Sequence, residues 1–445
     1  MEKSTQSQHS LRAAHLSLCV LLTALSLSTY ILTPVATRLP GSATAGIWTY
    51  INASSHSSLS ESHLSFPRPF QAVNDSAASD PAVQVGAWGD AASVGNSGVQ
   101  VEIQTNSYNM SNRQEDAFWV GDVLSDGSFV QFGYLLMPPG YYCLSAQVTP
   151  SGTICSATSD DVGFSDARWF WSYFPNAQVV NDWYYGFGTT DSAGSNGTWH
   201  LYSIQPSASG DWSFVMDGVS VYSSNFPSTS SASPAHLVAE KASGPYLSQL
   251  GPVEFRGLAY LGNDSLWHGT SSLNLIDGCG AADNNPCSVS AAYGAQSVGP
   301  NDVIAGSSVP APNPGQLVWE RQSTCTLGTT LLTSGTAGNA PLIVTFADSV
   351  SAPQGNVSTD WWFGNGSHLS GETNETVTYL NPGNYTPVVR VLDSVGCLSE
   401  ASGNVSVAGS NGSTLSVAPA GSSSFGVSVI ALCVFTPRDA YAPIY

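Results

Sequence analysis

The sequence predicts an all-β protein, a concanavalin-like or jelly-roll two-sheet sandwich followed by a smaller Ig-like β-sandwich. Three observations carry that prediction. Apolar and aromatic runs are short and are broken at regular intervals by Gly, Pro, Asn and Asp, the pattern of many short strands. Asp217-Gly218 joins two such runs and is a strong two-residue hairpin signal. No stretch beyond the N-terminal leader sustains a helical period.

Taken in order, the chain opens with Lys3 and Arg12, an apolar run from Leu16 to Leu32, and then Ala43-Thr44-Ala45. That is the order of a secretory signal, so residues 1–45 are assigned as a signal peptide or an N-terminal membrane anchor. Residues 46–84 are Ser-rich with Pro67 and Pro69, a linker or pro-segment. Residues 85–295 form the first β-domain, with strands expected at Val99–Gln104, Phe118–Val120, Ser128–Met137, Tyr141–Val148, Trp169–Phe174, Trp183–Phe187, Thr198–Gln205, Trp212–Met216, Val219–Tyr222, Ala235–Lys241 and Val253–Leu261. The Pro/Gly/Ser-rich stretch 296–337 is expected to be a linker. Residues 338–409 form a second β-module, and the Ser/Gly-rich tail 410–445 has an apolar run, Phe425–Phe435, too short to span a bilayer.

Composition narrows the function. Acidic residues outnumber basic ones 31 to 11, the formal charge is −20, and the only lysines are Lys3 and Lys241. Nucleic acid is excluded as a partner, because phosphate neutralisation needs clustered Lys and Arg. The same balance suits low pH: below about pH 3 most carboxylates are neutral and self-repulsion stays modest. The eight cysteines and eleven Asn-x-Ser/Thr sequons fit an exported, glycosylated protein, extracellular or at the cell surface. With Cys19 in the leader and Cys433 in the tail, six cysteines remain and allow 15 pairings. Proximity favours Cys143/Cys155, Cys279/Cys287 and Cys325/Cys397. No Cys-x-x-Cys occurs and the histidines are scattered, so no metal site is expected.

Two segments carry candidate chemistry. Trp119-Val120-Gly121 precedes the strand Phe129-Val130-Gln131-Phe132-Gly133, and Ala235-His236-Leu237-Val238-Ala239-Glu240 follows about a hundred residues later. Alternation puts Phe129, Gln131, Gly133 and Leu135 on one strand face and His236, Val238 and Glu240 on one face of the other. A carboxylate at Glu240 works in acid, where a histidine base would be protonated, and a Gln131 amide donates without titrating. No metal or cofactor is required. Trp119 and the aromatic strand with Trp169, Trp171 and Tyr173 supply apolar surface for a substrate. Taken singly, a strand glutamine is an ordinary cross-strand partner and a strand-end glutamate an ordinary edge charge.

The order Trp-Val-Gly, Gln-x-Gly, aromatic strand ending in Pro, Ala-x-x-x-x-Glu, and then Leu250-Gly251-Pro252-Val253-Glu254-Phe255 resembles the glutamic peptidases (eqolisins) over residues about 117–261. The resemblance implies an acid-active endopeptidase in which Glu240 is general base and then acid, and Gln131 stabilises the oxyanion. This chain departs from the family at Leu135 and Ser172, where the family carries acids. Residues 338–409, with Trp361-Trp362-Phe363-Gly364-Asn365-Gly366 and Val389-Arg390-Val391-Leu392-Asp393, resemble a PKD domain, which implies a spacer or weak binder. Asp160-Asp161 lies in a Ser/Thr-rich loop and is expected to be solvated.

The partner is therefore a protein or peptide substrate or, in the alternative of a non-catalytic lectin-like or adhesive protein, a surface glycan. A glucanase would need two carboxylates flanking one bond, and no Glu-x-Asp-x-x-Glu strand is present. Neither Asp-Thr-Gly nor Asp-Ser-Gly occurs, which disfavours a classical aspartic protease.

Overall fold

The computed structural model describes residues 83–409 apart from 109–113, 137–139, 157–158, 163–166, 178–181, 190, 244–248, 280–292, 311–315 and 372–373. The leader, the 46–84 segment, the tail and the Cys279/Cys287 pairing therefore lie outside the described residues. Within them the chain is almost entirely β, with one short 3-10 turn at Ala91–Ser93 and no α-helix.

The first unit begins with β1 (Val83–Trp88), β2 (Val99–Gln104), β3 (Glu115–Val123), β4 (Phe129–Leu136) and β5 (Gly140–Cys143). It continues through β6 (Ser145–Thr149), β7 (Gly152–Cys155), β8 (Ser159–Val162), β9 (Ala167–Phe174) and β10 (Trp183–Phe187). Next come β11 (Trp199–Pro206), β12 (Asp211–Met216), β13 (Val219–Pro227), β14 (His236–Ser243) and β15 (Val253–Leu261). It ends with β16 (Trp267–Gly269), β17 (Ser272–Cys279), β18 (Tyr293–Gly299), β19 (Asp302–Ser307) and β20 (Leu317–Glu320).

These strands build two large antiparallel sheets. One is ten-stranded, in the order β20-β17-β1-β14-β3-β4-β9-β10-β6-β7. The other is eight-stranded, in the order β13-β12-β11-β2-β15-β19-β18 with β16 on β15. Val85, Val101, Ile103, Phe118, Phe132, Tyr202, Phe214 and Phe255 are among the buried side chains between them. The hairpin signal is borne out: Asp217 (φ 54°) and Gly218 (φ 77°) both take positive φ between β12 and β13, as a type I′ turn requires.

The 296–337 stretch is not a bare linker. It completes β18 and adds β19 to the eight-stranded sheet, gives β20 to the ten-stranded one, and holds the first strand of the second unit. Its Pro and Gly residues suggested a tether, but Val303 and Ala305 are fully buried and the backbone ladder absorbs the rest.

The second unit contains β21 (Gly328–Thr333), β22 (Ala337–Asn339), β23 (Leu342–Ser351), β24 (Val357–Trp362) and β25 (His368–Ser370). It closes with β26 (Asn374–Tyr379), β27 (Gly383–Tyr385), β28 (Val388–Asp393), β29 (Leu398–Ser402) and β30 (Val405–Ala408). Val344, Phe346, Trp361, Phe363, Tyr379, Val389 and Val391 form its own core. Disulfides Cys143–Cys155 and Cys325–Cys397 join two of the expected pairs, with Cα separations of 5.5 and 5.3 Å. Disulfides of this kind persist in an oxidising compartment.

The two units meet through a buried ionic seam. Strand β2 alternates, with Val99, Val101 and Ile103 in the core and Gln100, Glu102 and Gln104 on the other face. That polar face is covered by the second unit. Arg390 Nη1–H donates to Glu102 at 3.1 Å, Gln100 Nε2–H donates to Glu400 at 2.7 Å, and Arg390 Nη2–H donates to the Gly257 carbonyl. Arg256 lies 3.5 to 4.0 Å from Asp302, Glu254, Asp360 and Glu102 and stacks on Trp199 at 4.3 Å.

Five carboxylates thus share two arginines. Burial, with Asp360 nearby, pushes Glu102 up to about 8 against the pull of Arg390 and Arg256. Burial likewise pushes Asp302 up to about 7 and raises Glu400. Burial also opposes ionisation of Asp360, but hydrogen bonds from His368 and Ser370 and the charge of Arg256 outweigh it and hold that carboxyl below its ordinary range.

Carboxyls raised in the folded state hold protons that the unfolded chain, with values near 4, has released. Stability is then full below about pH 4 and is lost as pH rises toward 8. Asp360 acts oppositely, and only below about pH 4. Unfolding free energy should fall by roughly 2 to 4 kcal/mol between pH 5 and pH 8. Glu102→Gln should flatten that slope, as read by urea unfolding across the pH range; an unchanged slope would show that the seam is not its source.

Candidate functional site

The central strands of the ten-stranded sheet are covered on both sides, and β3 and β4 are buried along their whole length. Register fixes which side chains share the face turned away from the second sheet. His236 stands opposite Gly121, Gly121 opposite Gln131, Gln131 opposite Ser172, and Ser172 opposite Tyr185. Two residues along, Gly86, Val238, Trp119, Gly133 and Phe170 make an apolar row. Two further along, Gln84, Glu240, Ala117, Leu135 and Arg168 make a second polar row.

Gln131 and Glu240 therefore lie on one face of one sheet, as the alternation predicts. They are two strands apart and offset by four residues, which is roughly 16 Å between Cα atoms on a flat sheet. The gap is bridged by Trp119. Its indole lies along β3, with Nε1–H donating to Glu240 Oε2 at 2.9 Å and its benzo edge over Gly121. A Cβ at Gly121 would meet the Trp119 ring at 3.0 Å and the Val130 carbonyl at 2.6 Å, so the ring lies where only glycine leaves room. Gly133 serves the backbone in the same way, since a Cβ there would meet the Phe118 carbonyl oxygen at 1.9 Å.

Glu240 and Leu135 thus share one sheet face with Gln131, Ser172 and Tyr185, and Trp119, Phe129, Leu135, Phe170 and Phe174 pack together on it. Burial, and after it the charge of Glu115, raises the Tyr185 phenol.

The polar groups are closed to solvent: Gln131, Ser172, Glu240 and Arg168 are fully buried and His236 is 1 % exposed. Burial pushes the His236 imidazole down to about 3, against a hydrogen bond with the backbone of Gly121, so it is charged only below about pH 3. Arg168 donates to the Gly188 carbonyl at 3.3 Å and lies 5.9 Å from the Phe187 ring centroid. Gln131 differs from its neighbours. Neither its Nε2 nor its Oε1 has a hydrogen-bond partner among the described residues, and the same is true of the Ser172 hydroxyl across from it.

The aromatic strand does not join this face as expected. Because Gln131 pairs with Ser172, residues 169, 171 and 173 must point into the inter-sheet core. Trp171 stacks on Tyr222 at 3.9 Å, Tyr173 stacks on Phe226 at 4.1 Å, and Trp169 packs against the same core. Of the four residues expected to bind substrate, only Trp119 lies beside Glu240. Lys241 also faces the inter-sheet core, 5.6 Å from the Tyr293 ring centroid.

Sequence reasoning passed over Glu115, Arg168 and Tyr185, and it placed His236 on the Glu240 face without giving it a role. Glu115 and Arg168 fall just outside the strands expected at 118–120 and 169–174; extending the alternation by a few residues would have put Glu115 on the Trp119 face of its strand and Arg168 on the Ser172 face of its own. Among the described residues no group of three or more His, Cys, Asp or Glu is arranged to hold a metal ion. Neither a protein-family model nor a curated protein matches this chain.

A fully buried amide with both polar atoms unpartnered costs about 1–3 kcal/mol relative to an apolar group of the same shape. Gln131→Leu should therefore raise the unfolding free energy by about that amount, measured by urea unfolding at fixed pH. A loss of stability instead would mean that the amide is held by a bond within the fold.

Proposed function

We propose that this is an exported, acid-active peptide hydrolase of the glutamic type, with the second unit a PKD-like accessory module. The observation that carries the reading is the Gln131 amide, buried and unpartnered among the described residues on the same sheet face as the Glu240 carboxylate. Natural folds rarely leave such a group unsatisfied unless it is kept for a ligand or for chemistry.

In this reading the peptide lies across this sheet face, over Trp119. Glu240 accepts a proton from a water molecule, whose oxygen attacks the scissile carbonyl carbon. The carbonyl oxygen becomes an oxyanion and accepts a hydrogen bond from Gln131 Nε2–H. The C–N bond then breaks, and the proton held on Glu240 passes to the departing nitrogen. The Trp119 indole N–H holds the Glu240 carboxylate in place through Oε2. An apolar surface suits peptide side chains, and the disulfides and the acidic composition suit an oxidising, acidic exterior. The lectin-like alternative drew on the aromatic strand, on Leu135 and Ser172 standing where acids are expected, and on the sequons; with Trp171 and Tyr173 buried in the inter-sheet core, the aromatic strand no longer supports it.

The full-length protein should digest casein or haemoglobin between pH 2 and 5. Glu240→Gln should abolish the activity, and Gln131→Ala should lower kcat roughly 100-fold, the usual effect of removing one oxyanion donor. A folded parent without activity, or an active Glu240→Gln variant, would overturn the proposal.

A further inference from the structure

Ser172 stands where the resemblance leads one to expect an acid. Its position gives it a different chemistry. It is the direct cross-strand partner of Gln131, so the two Cβ atoms are about 4.5 to 5.5 Å apart on one face. A serine hydroxyl and a glutamine amide at that spacing are well able to bond each other, and each is fully buried. They do not bond: Ser172 Oγ, Gln131 Nε2 and Gln131 Oε1 all lack a partner among the described residues. Elsewhere in the molecule adjacent polar side chains do pair, as Ser203 Oγ–H does with Gln100 at 3.0 Å and Ser233 Oγ–H with Asp122 at 2.9 Å. Two neighbouring donors, each desolvated and each left open among the described residues, are spaced so that both could donate to one acceptor oxygen.

We propose that Ser172 is a second catalytic donor, which with Gln131 forms a two-pronged oxyanion hole; the inference rests on the peptide-hydrolase reading of this site. When water adds to the scissile carbonyl and Glu240 takes its proton, the negative charge forms on the former carbonyl oxygen. That oxygen accepts one hydrogen bond from Gln131 Nε2–H and one from Ser172 Oγ–H. Both bonds lapse when the C–N bond breaks, the carbonyl re-forms as part of the new carboxyl group and the amine leaves with the proton from Glu240. Ser172 is neither acylated nor deprotonated. Two preset donors in a site closed to water are worth more than either in solution, because neither has to reorganise as the charge develops.

The test compares full-length wild type, Ser172→Ala, Ser172→Thr and Glu240→Gln on one peptide substrate in the acid range, together with binding of a peptide phosphonate whose tetrahedral centre mimics the intermediate. Ser172→Ala should lower kcat roughly 100-fold with KM nearly unchanged, and should weaken phosphonate binding by about the same factor as kcat/KM. Ser172→Thr, which keeps the hydroxyl, should recover most of the rate. Urea unfolding should find Ser172→Ala no less stable than wild type, because the hydroxyl lost had no bond in the fold. If Glu240→Gln is inactive while Ser172→Ala keeps wild-type kcat and phosphonate affinity, the role of Ser172 is refuted and the hydrolase reading stands. If Ser172→Ala loses rate only in proportion to lost stability and Ser172→Thr does not restore it, Ser172 is structural. An inactive but folded wild type overturns both.

Discussion

The antiparallel register of β14, β3 and β4 sets Glu240 opposite Ala117 and Ala117 opposite Leu135, with His236, Gly121 and Gln131 in line four residues away. Strand side chains alternate strictly, so a slip of one residue would carry Glu240 into the inter-sheet core and Lys241 onto the other face. Neither exchange is tolerable, because each would bury a charge without the partners arranged for it. The apolar residues on both faces of these strands lock that register, and every polar group at the site takes its position from it. Trp119 depends on it as well. Its indole reaches Glu240 and lies over Gly121 only because those two positions flank it along β3.

A sheet buried on both faces is unusual for an antiparallel architecture, where one face commonly meets water. Here one face closes against the eight-stranded sheet and the other carries Gln131, Trp119 and Glu240. The eight-stranded sheet is covered in turn, since the second unit lies on the polar face of β2 through Arg390 and Glu400 and through the contact of Leu201 with Trp362 and Val388. Gathering five carboxylates, most of them buried, around two arginines is costly at neutral pH and much less so in acid, where protonation removes the excess charge. The interface and the proposed chemistry thus favour the same conditions, for unrelated physical reasons: one needs carboxyls neutral, the other needs one carboxylate able to take a proton in acid.

Much of the fold was legible in the chain. Val99–Gln104, Trp183–Phe187 and Val253–Leu261 form strands with the expected bounds, because apolar alternation and flanking turn residues specify them locally. The Asp217-Gly218 turn and two disulfides were readable for the same reason. Strands β17 to β20 were not. Their sequence is rich in Gly, Ser and Pro, and long-range ladders hold them in place rather than propensity. The polar face of β2 also misled, since alternation says only that one face differs from the other and not that the polar one meets water.

By itself the sequence determined that the chain is β-rich, that Gln131 shares a face with Leu135, and that Glu240 shares one with His236, because side-chain alternation is a property of a single strand. Which strands are neighbours is decided only by tertiary pairing between residues a hundred positions apart. That pairing puts Gln131 and Glu240 on one face with Trp119 between them, and it turns Trp169, Trp171 and Tyr173 toward the other sheet. It also leaves Ser172 beside Gln131 with no bond between them. Each of these outcomes depends on register across several strands, which is not encoded in any one segment.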